Sequence, residues 1–140
     1  MKFSAKEQYG LRAMVEFARR YGEGPVPLHT VAQAQAISLA YLEHVVVPLR
    51  KAGLLHSARG AYGGYQLARA PQSITIGDVI RALEGSVISL DCVSDALNAP
   101  CVRGQSTCAV CKVWEQMRQK LTEALDATTL SDLCADKILS

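Results

Sequence analysis

The chain has 140 residues, of which 49% are hydrophobic and 20% charged, and carries a formal charge of +2. That length holds one ordinary domain or a small module with an appendage, and no run approaches the roughly 18 apolar residues that a membrane helix needs, so no membrane partner is expected. Divided at residue 70 the charge separates, with nine Lys/Arg against four Asp/Glu before it (+5) and six against nine after it (−3), which puts a polyanion-facing surface in the first half.

Met1 to Lys6 contain polar and charged residues without the apolar stretch of a signal peptide, so a cytoplasmic location is expected. From Lys6 to Tyr21 the residues Leu11, Met14, Val15, Ala18 and Tyr21 recur at steps of three and four, predicting an amphipathic helix with that stripe buried. Gly22, Gly24, Pro25 and Pro27 end it. A short second helix is expected to open near Thr30, whose hydroxyl would cap it, and to run to about Gln35. Ile37 and Ser38 form a tight turn, and Ser38 caps a third helix with Leu39, Leu42, Val45, Val46 and Leu49 as its apolar stripe. Tyr41, Glu43 and His44 fall on another face, and Pro48 should bend or shorten the helix. Two helices joined by so short a turn are the helix-turn-helix pattern.

Beyond Gly53, the segments around Leu54 to Ala58 and Tyr65 to Leu67 flank Arg59, Gly60, Tyr62, Gly63 and Gly64, which predicts a β-hairpin wing with a basic, glycine-rich tip. Ile76, Val79, Ile80 and Leu83 mark a further helix closing at Gly85. Residues 86–106 read as irregular, with Asn98, Pro100 and Gly104 as breakers. A long helix then runs from about Thr107 to Ala127 with Val110, Trp114, Met117, Leu121 and Ala124 as a seam that can pair with its own copy.

Reading a duplex requires exposed side chains at the start of a helix, cations for phosphates and a tip that enters the minor groove. Ser38 and Tyr41 are placed to donate to phosphate, Glu43 and His44 to meet base edges, and Arg50 with Lys51 to supply backbone charge. A carboxylate such as Glu43 accepts from a cytosine amino group but repels phosphate, trading affinity for selectivity. Arg59 beside Gly60 suits a narrow A·T-rich minor groove.

All five cysteines, Cys92, Cys101, Cys108, Cys111 and Cys134, lie in the last third, a clustering that favours metal or redox chemistry over structural disulfides in a cytosolic protein. Eight, six and two residues separate the first four in turn. Four such thiolates can surround zinc or an iron-sulfur cluster, and the spacing does not choose between them. Cys134, His29 and His56 read as packing or surface residues, and Trp114 as an anchor of the dimer seam. No nucleophile elbow, phosphate-binding loop or His-Glu zinc motif is present, so no enzyme is expected.

The chain resembles the winged-helix regulators typified by the iron-sulfur regulator IscR and the nitric oxide sensor NsrR. The resemblance is carried by Phe3-Ser4-Ala5-Lys6 with Tyr9, by Gly24 to Leu28, by Ile37 to Glu43 and by Leu49 to Leu54, then by Arg59-Gly60, Gly63-Gly64-Tyr65 and Gly77 to Ile80. It implies that Cys92, Cys101 and Cys108 bind a cluster, often 2Fe-2S, and that Tyr65 belongs with the DNA-binding set. Cys111 stands where IscR-like members carry a histidine, a change that makes the site more negative and should lower its potential. The first spacer is longer than usual, and Gln8 occupies the place of a carboxylate ligand used by some nitric oxide sensors.

The expected fold is therefore mainly α with a small β-hairpin wing: a winged helix-turn-helix domain over 1–85, a cysteine-bearing sensor loop over 86–106, and a dimerisation helix with a C-terminal tail over 107–140. The expected function is a homodimeric regulator that binds a double-stranded DNA operator and senses iron-sulfur or redox status. A regulator with structural zinc or a disulfide switch is the alternative, and a protein-binding scaffold the reading from another class.

Overall fold

The computed structural model describes residues 4–59, 63–84 and 109–135. Among them six α-helices, one 3-10 turn and a two-stranded sheet follow in the order α1 (Ala5–Arg19), α2 (Leu28–Gln35), α3 (Leu39–Lys51), β1 (Leu55–Ala58), β2 (Gly64–Leu67), the turn Pro71–Ser73, α4 (Ile76–Glu84), α5 (Ala109–Ala127) and α6 (Leu130–Cys134). The mainly helical, wing-bearing class expected from the sequence is the one observed.

A capping box starts α1: the Ser4 hydroxyl accepts from Glu7 N at 3.2 Å and the Glu7 carboxylate accepts from Ser4 N at 3.1 Å. Its buried face is Gly10, Ala13, Met14, Phe17 and Ala18, so the expected stripe is rotated; Leu11 and Val15 are half-buried, and Tyr21 lies past the helix end at 50% exposure. Small residues explain the rotation. A Cβ on Gly10 would overlap the Leu83 side chain of α4, so α1 approaches α4 closely at Gly10.

The second helix begins at Leu28, two positions before the expected Thr30, and its N-cap is Pro27, which makes no side-chain cap. Proline's fixed φ suits the entry into a helix. Its exit is a Schellman turn: Ile37 N donates to Ala32 O at 2.9 Å and Ala36 N to Gln33 O at 3.4 Å, with Ala36 left-handed at φ 53°. The buried Ile37 anchors the turn. Ser38 caps α3 as expected, its hydroxyl accepting from Tyr41 N at 3.2 Å. Leu42, Val45, Val46 and Leu49 fill the core, whereas Leu39, expected with them, is 43% exposed. Pro48 does not end the helix, which continues to Lys51; it sits in the last turn and costs the helix only the bond to His44 O.

In the wing, β1 and β2 pair antiparallel with Leu55 opposite Leu67 and Ser57 opposite Tyr65. Val26 extends the ladder, its N donating to Tyr65 O at 2.8 Å and its O accepting from Tyr65 N at 2.9 Å. The Gly60 to Tyr62 part of the expected tip, and the expected helix end at Gly85, lie outside the described residues.

A second capping box, between Thr75 and Asp78, opens α4. Arg81 on this helix reaches Asp78 at 3.2 Å and Asp126 at 2.8 Å, tying α4 to the end of α5. The chain then returns to the core. Ile76 N donates to Thr128 O and Leu130 N to Ile74 O, both at 2.9 Å, and Leu130 is fully buried. The tail expected after Ala127 thus contains α6, capped by Thr129 and Asp132 and packed on α1 and the 3-10 turn.

Glu16 fastens α1 to the helix-turn-helix. It is buried, at 6% exposure, and accepts from Arg20 Nε at 3.2 Å, Gln35 Nε2 at 3.2 Å and Arg19 Nη1 at 3.3 Å. Burial opposes its charge, but the bonds from Arg20, Gln35 and Arg19 outweigh that and hold its pKa below the ordinary glutamate value. A depressed carboxylate stabilises the fold above the unfolded-state pKa, and the contribution is lost as pH falls through the folded-state pKa. Acidification from about pH 6 to about pH 3 should therefore lower the melting temperature more in the wild type than in Glu16→Gln, which has no proton to take up there. Equal slopes in a thermal melt series would contradict this role.

Candidate nucleic-acid interface

The buried face of α3 locks its opposite face outward. Ser38, Glu43, His44, Arg50 and Lys51 are all exposed there, so the side chains expected to meet a duplex share one surface. The Ser38 oxygen accepts from its own helix, which leaves the hydroxyl hydrogen for an outside acceptor. The amide end of α3 is also favourable to a phosphate. Arg50 and Lys51 occupy the last turn and carry positive charge along the rest of the face.

Tyr41 is only half-buried, because its ring packs edge-on against Tyr9 of α1, with centroids 5.6 Å apart at 78°. The Arg12 guanidinium lies 5.9 Å from the Tyr9 ring. Reading the sequence missed Arg12 as a neighbour of this surface; the Tyr9-to-Arg12 spacing of one helical turn was the available signal. Leu39 and Val47, the latter 37% exposed, were also missed as surface groups.

Arg59 follows β1 directly and is exposed. Tyr65 sits differently: its backbone is bonded to Val26 on one side, and its half-buried ring packs on the core. It therefore holds the wing against the domain. Gly64 beside it is required by close approach, since a Cβ there would overlap the Val26 carbonyl and come within 2.7 Å of Pro27 N.

Of the four clustered cysteines, Cys92, Cys101 and Cys108 lie outside the described residues. Cys111 is the third residue of α5 and is buried, at 2% exposure. A thiol fixed on a helix can ligate a soft metal that displaces its proton on binding, and a set of four thiolates has the chemistry of a zinc or iron-sulfur site. Among the described residues, no group of three or more metal-ligating side chains converges. Cys134 lies in α6 with its Sγ 3.8 Å from Val15 O, and burial pushes its thiol pKa up, which disfavours the reactive thiolate.

Along α5, Val110 (56%), Val113 (51%), Trp114 (37%) and Met117 (45%) are exposed. They form an apolar strip beyond what a lone surface helix needs. No helix among the described residues is long and apolar enough to cross a membrane.

Residues 3–136 match the Rrf2 family, described as an iron-dependent transcriptional regulator. The chain is 44% identical over 135 residues to the HTH-type transcriptional regulator CymR of Bacillus subtilis, covering 96% of this chain and 91% of that one. The solved structure of that global cysteine regulator superposes with a TM-score of 0.80, over 96% of this chain and 97% of the other. IscR of Aliivibrio salmonicida is 38% identical over 136 residues, covering 97% of this chain and 79% of the relative. The structure of T. potens IscR superposes with a TM-score of 0.78 at 40% identity, over 98% and 88% of the two chains.

Proposed function

Because the chain belongs to the Rrf2 family of DNA-binding transcriptional regulators and is not an enzyme, we propose that it is a homodimeric, cytoplasmic, operator-binding regulator whose DNA affinity follows an iron-sulfur cluster held by Cys92, Cys101, Cys108 and Cys111. The observation that carries this reading is the placement of Cys111, buried in the first turn of α5, at the end of a set of four closely spaced cysteines. A bound cluster, of the 2Fe-2S type, supplies a redox couple and sensitivity to oxidants at that point.

The protein's own groups do the rest. Ser38 and Tyr41 donate to phosphate, Arg50 neutralises it, Glu43 and His44 meet base edges in the major groove, and Arg59 enters the minor groove. Tyr65 keeps the wing seated. The apolar strip of α5 pairs with its copy in the second protomer, so that the two α3 helices address two half-sites.

A second reading has a specific observation behind it: CymR, 44% identical, is a global cysteine regulator, so a relative this similar is named for cysteine and not for a cluster. In that reading the thiols respond to oxidation or hold structural zinc, without a cluster. Purification without oxygen, with iron, acid-labile sulfide and zinc analyses of wild type and Cys111→Ala, separates the two. Matched iron and sulfide that fall in the variant, together with operator affinity that changes when the metal is removed, are expected. A colourless, zinc-only protein after reconstitution, or an affinity indifferent to metal, sinks the cluster reading.

A further inference from the structure

The helix α3 opens with a leucine in solvent. Leu39 is 43% exposed, Ala40 is exposed beside it, and Val47 is 37% exposed two turns on. Single exposed apolar side chains are ordinary, but these three are not scattered. At 3.6 residues per turn, Leu39, Glu43, Val47, Ala40 and His44 fill an arc of about 140°, and Leu42, Val45, Val46 and Leu49 bury the far side, so α3 cannot rotate to hide them. The arc begins at the Ser38 cap and ends among Arg50 and Lys51.

A surface with leucine and carboxylate toward the start of the helix and cations at its end has a specific complement. In the major groove, the one apolar group on a base edge is the thymine 5-methyl, and the group that donates to a carboxylate is the cytosine amino group. We infer that Leu39 is a specificity-determining residue that packs on the 5-methyl of a thymine beside the cytosine met by Glu43. The inference rests on the duplex-reading role proposed above for α3. Leu39 and Glu43 are four residues apart, roughly 6 Å along the helix, against about 3.4 Å per base-pair step. The thymine therefore lies within about two steps of the cytosine.

The test selects duplexes from a randomised pool with the full-length protein, then replaces each selected thymine by deoxyuridine, which removes only the methyl. For the wild type, one such replacement per half-site should weaken binding about fourfold, the effect of exposing one methyl. Leu39→Ala should bind the thymine and uracil duplexes equally, while Leu39→Met should keep the difference. Unchanged circular dichroism confirms that the exposed site tolerates both variants. The inference is overturned if no thymine shows a Leu39-dependent methyl effect, or if the effect survives Leu39→Ala and disappears in Val47→Ala. Failure to select any duplex overturns the DNA-reading role itself and this inference with it, a result plainly different from selection without methyl dependence.

Discussion

Arg50→Ala combined with Arg59→Ala should weaken operator binding by roughly 100- to 1000-fold near 0.15 M salt and flatten its salt dependence. Both side chains are exposed, one on the last turn of α3 and one at the end of β1. In a dimer the double variant withdraws four cations from the duplex. Each neutralised phosphate contributes about 0.9 to the slope of log affinity against log salt, so the slope should fall by about 3 to 4. The thermal midpoint should stay almost constant, because exposed side chains away from caps and buried networks contribute within about 0.5 kcal/mol. Binding titrations across a salt series decide the matter. A loss of affinity with an unchanged slope would mean that these arginines act through something other than phosphate charge.

Gly64→Ala should destabilise the fold by about 2–3 kcal/mol and lower the melting temperature by roughly 10 °C. The backbone at Gly64 is not in the left-handed region, so alanine is conformationally acceptable there. The penalty is steric: its methyl would overlap the Val26 carbonyl, and either the wing or the segment before α2 must withdraw. Withdrawal breaks the pair of bonds between Val26 and Tyr65, at 2.8 and 2.9 Å. Thermal melts measure the loss, and faster hydrogen exchange at the Val26 and Tyr65 amides locates it. A variant as stable as the wild type would show that the two segments part without cost.

The order of elements was legible because each rests on a local signal: spacing for α1, α3, α4 and α5, a serine cap for α3, and glycines around a hairpin. Long-range packing was not legible. The α1 stripe is rotated because Gly10 admits Leu83, a contact between residues 73 positions apart that periodicity cannot register. Leu39 reads as core by hydropathy and is exposed by geometry. Gly64 reads as part of a glycine-rich hairpin tip and is a point of close packing. The short α6 is too brief for a periodic signal, although Thr129 and Asp132 had the spacing of a capping box. At the candidate site, exposed polar and basic residues on α3 followed from the sequence, because the buried stripe fixes the opposite face. The half-buried settings of Tyr41 and Tyr65 depend on Tyr9 and Val26, which only the fold brings near.

The stretch 85–108 departs from Glu84 and returns at Ala109, and both neighbours are fastened. The Ser4 hydroxyl, which caps α1, donates to the Glu84 carboxylate at 2.9 Å, and α1 in turn touches α3 through Tyr9 and Tyr41. On the other side Ala109 begins a helix of 19 residues that holds Cys111 and carries the apolar strip. A chemical event between these anchors thus has two outlets with different meanings. One would run inside the protomer and retune how a single α3 sits on its half-site in the proposed complex. In the proposed homodimer the other would run along α5 to the second protomer and reset the distance between the two α3 helices, so that one event would alter both how tightly a sequence is held and which operator spacing is accepted.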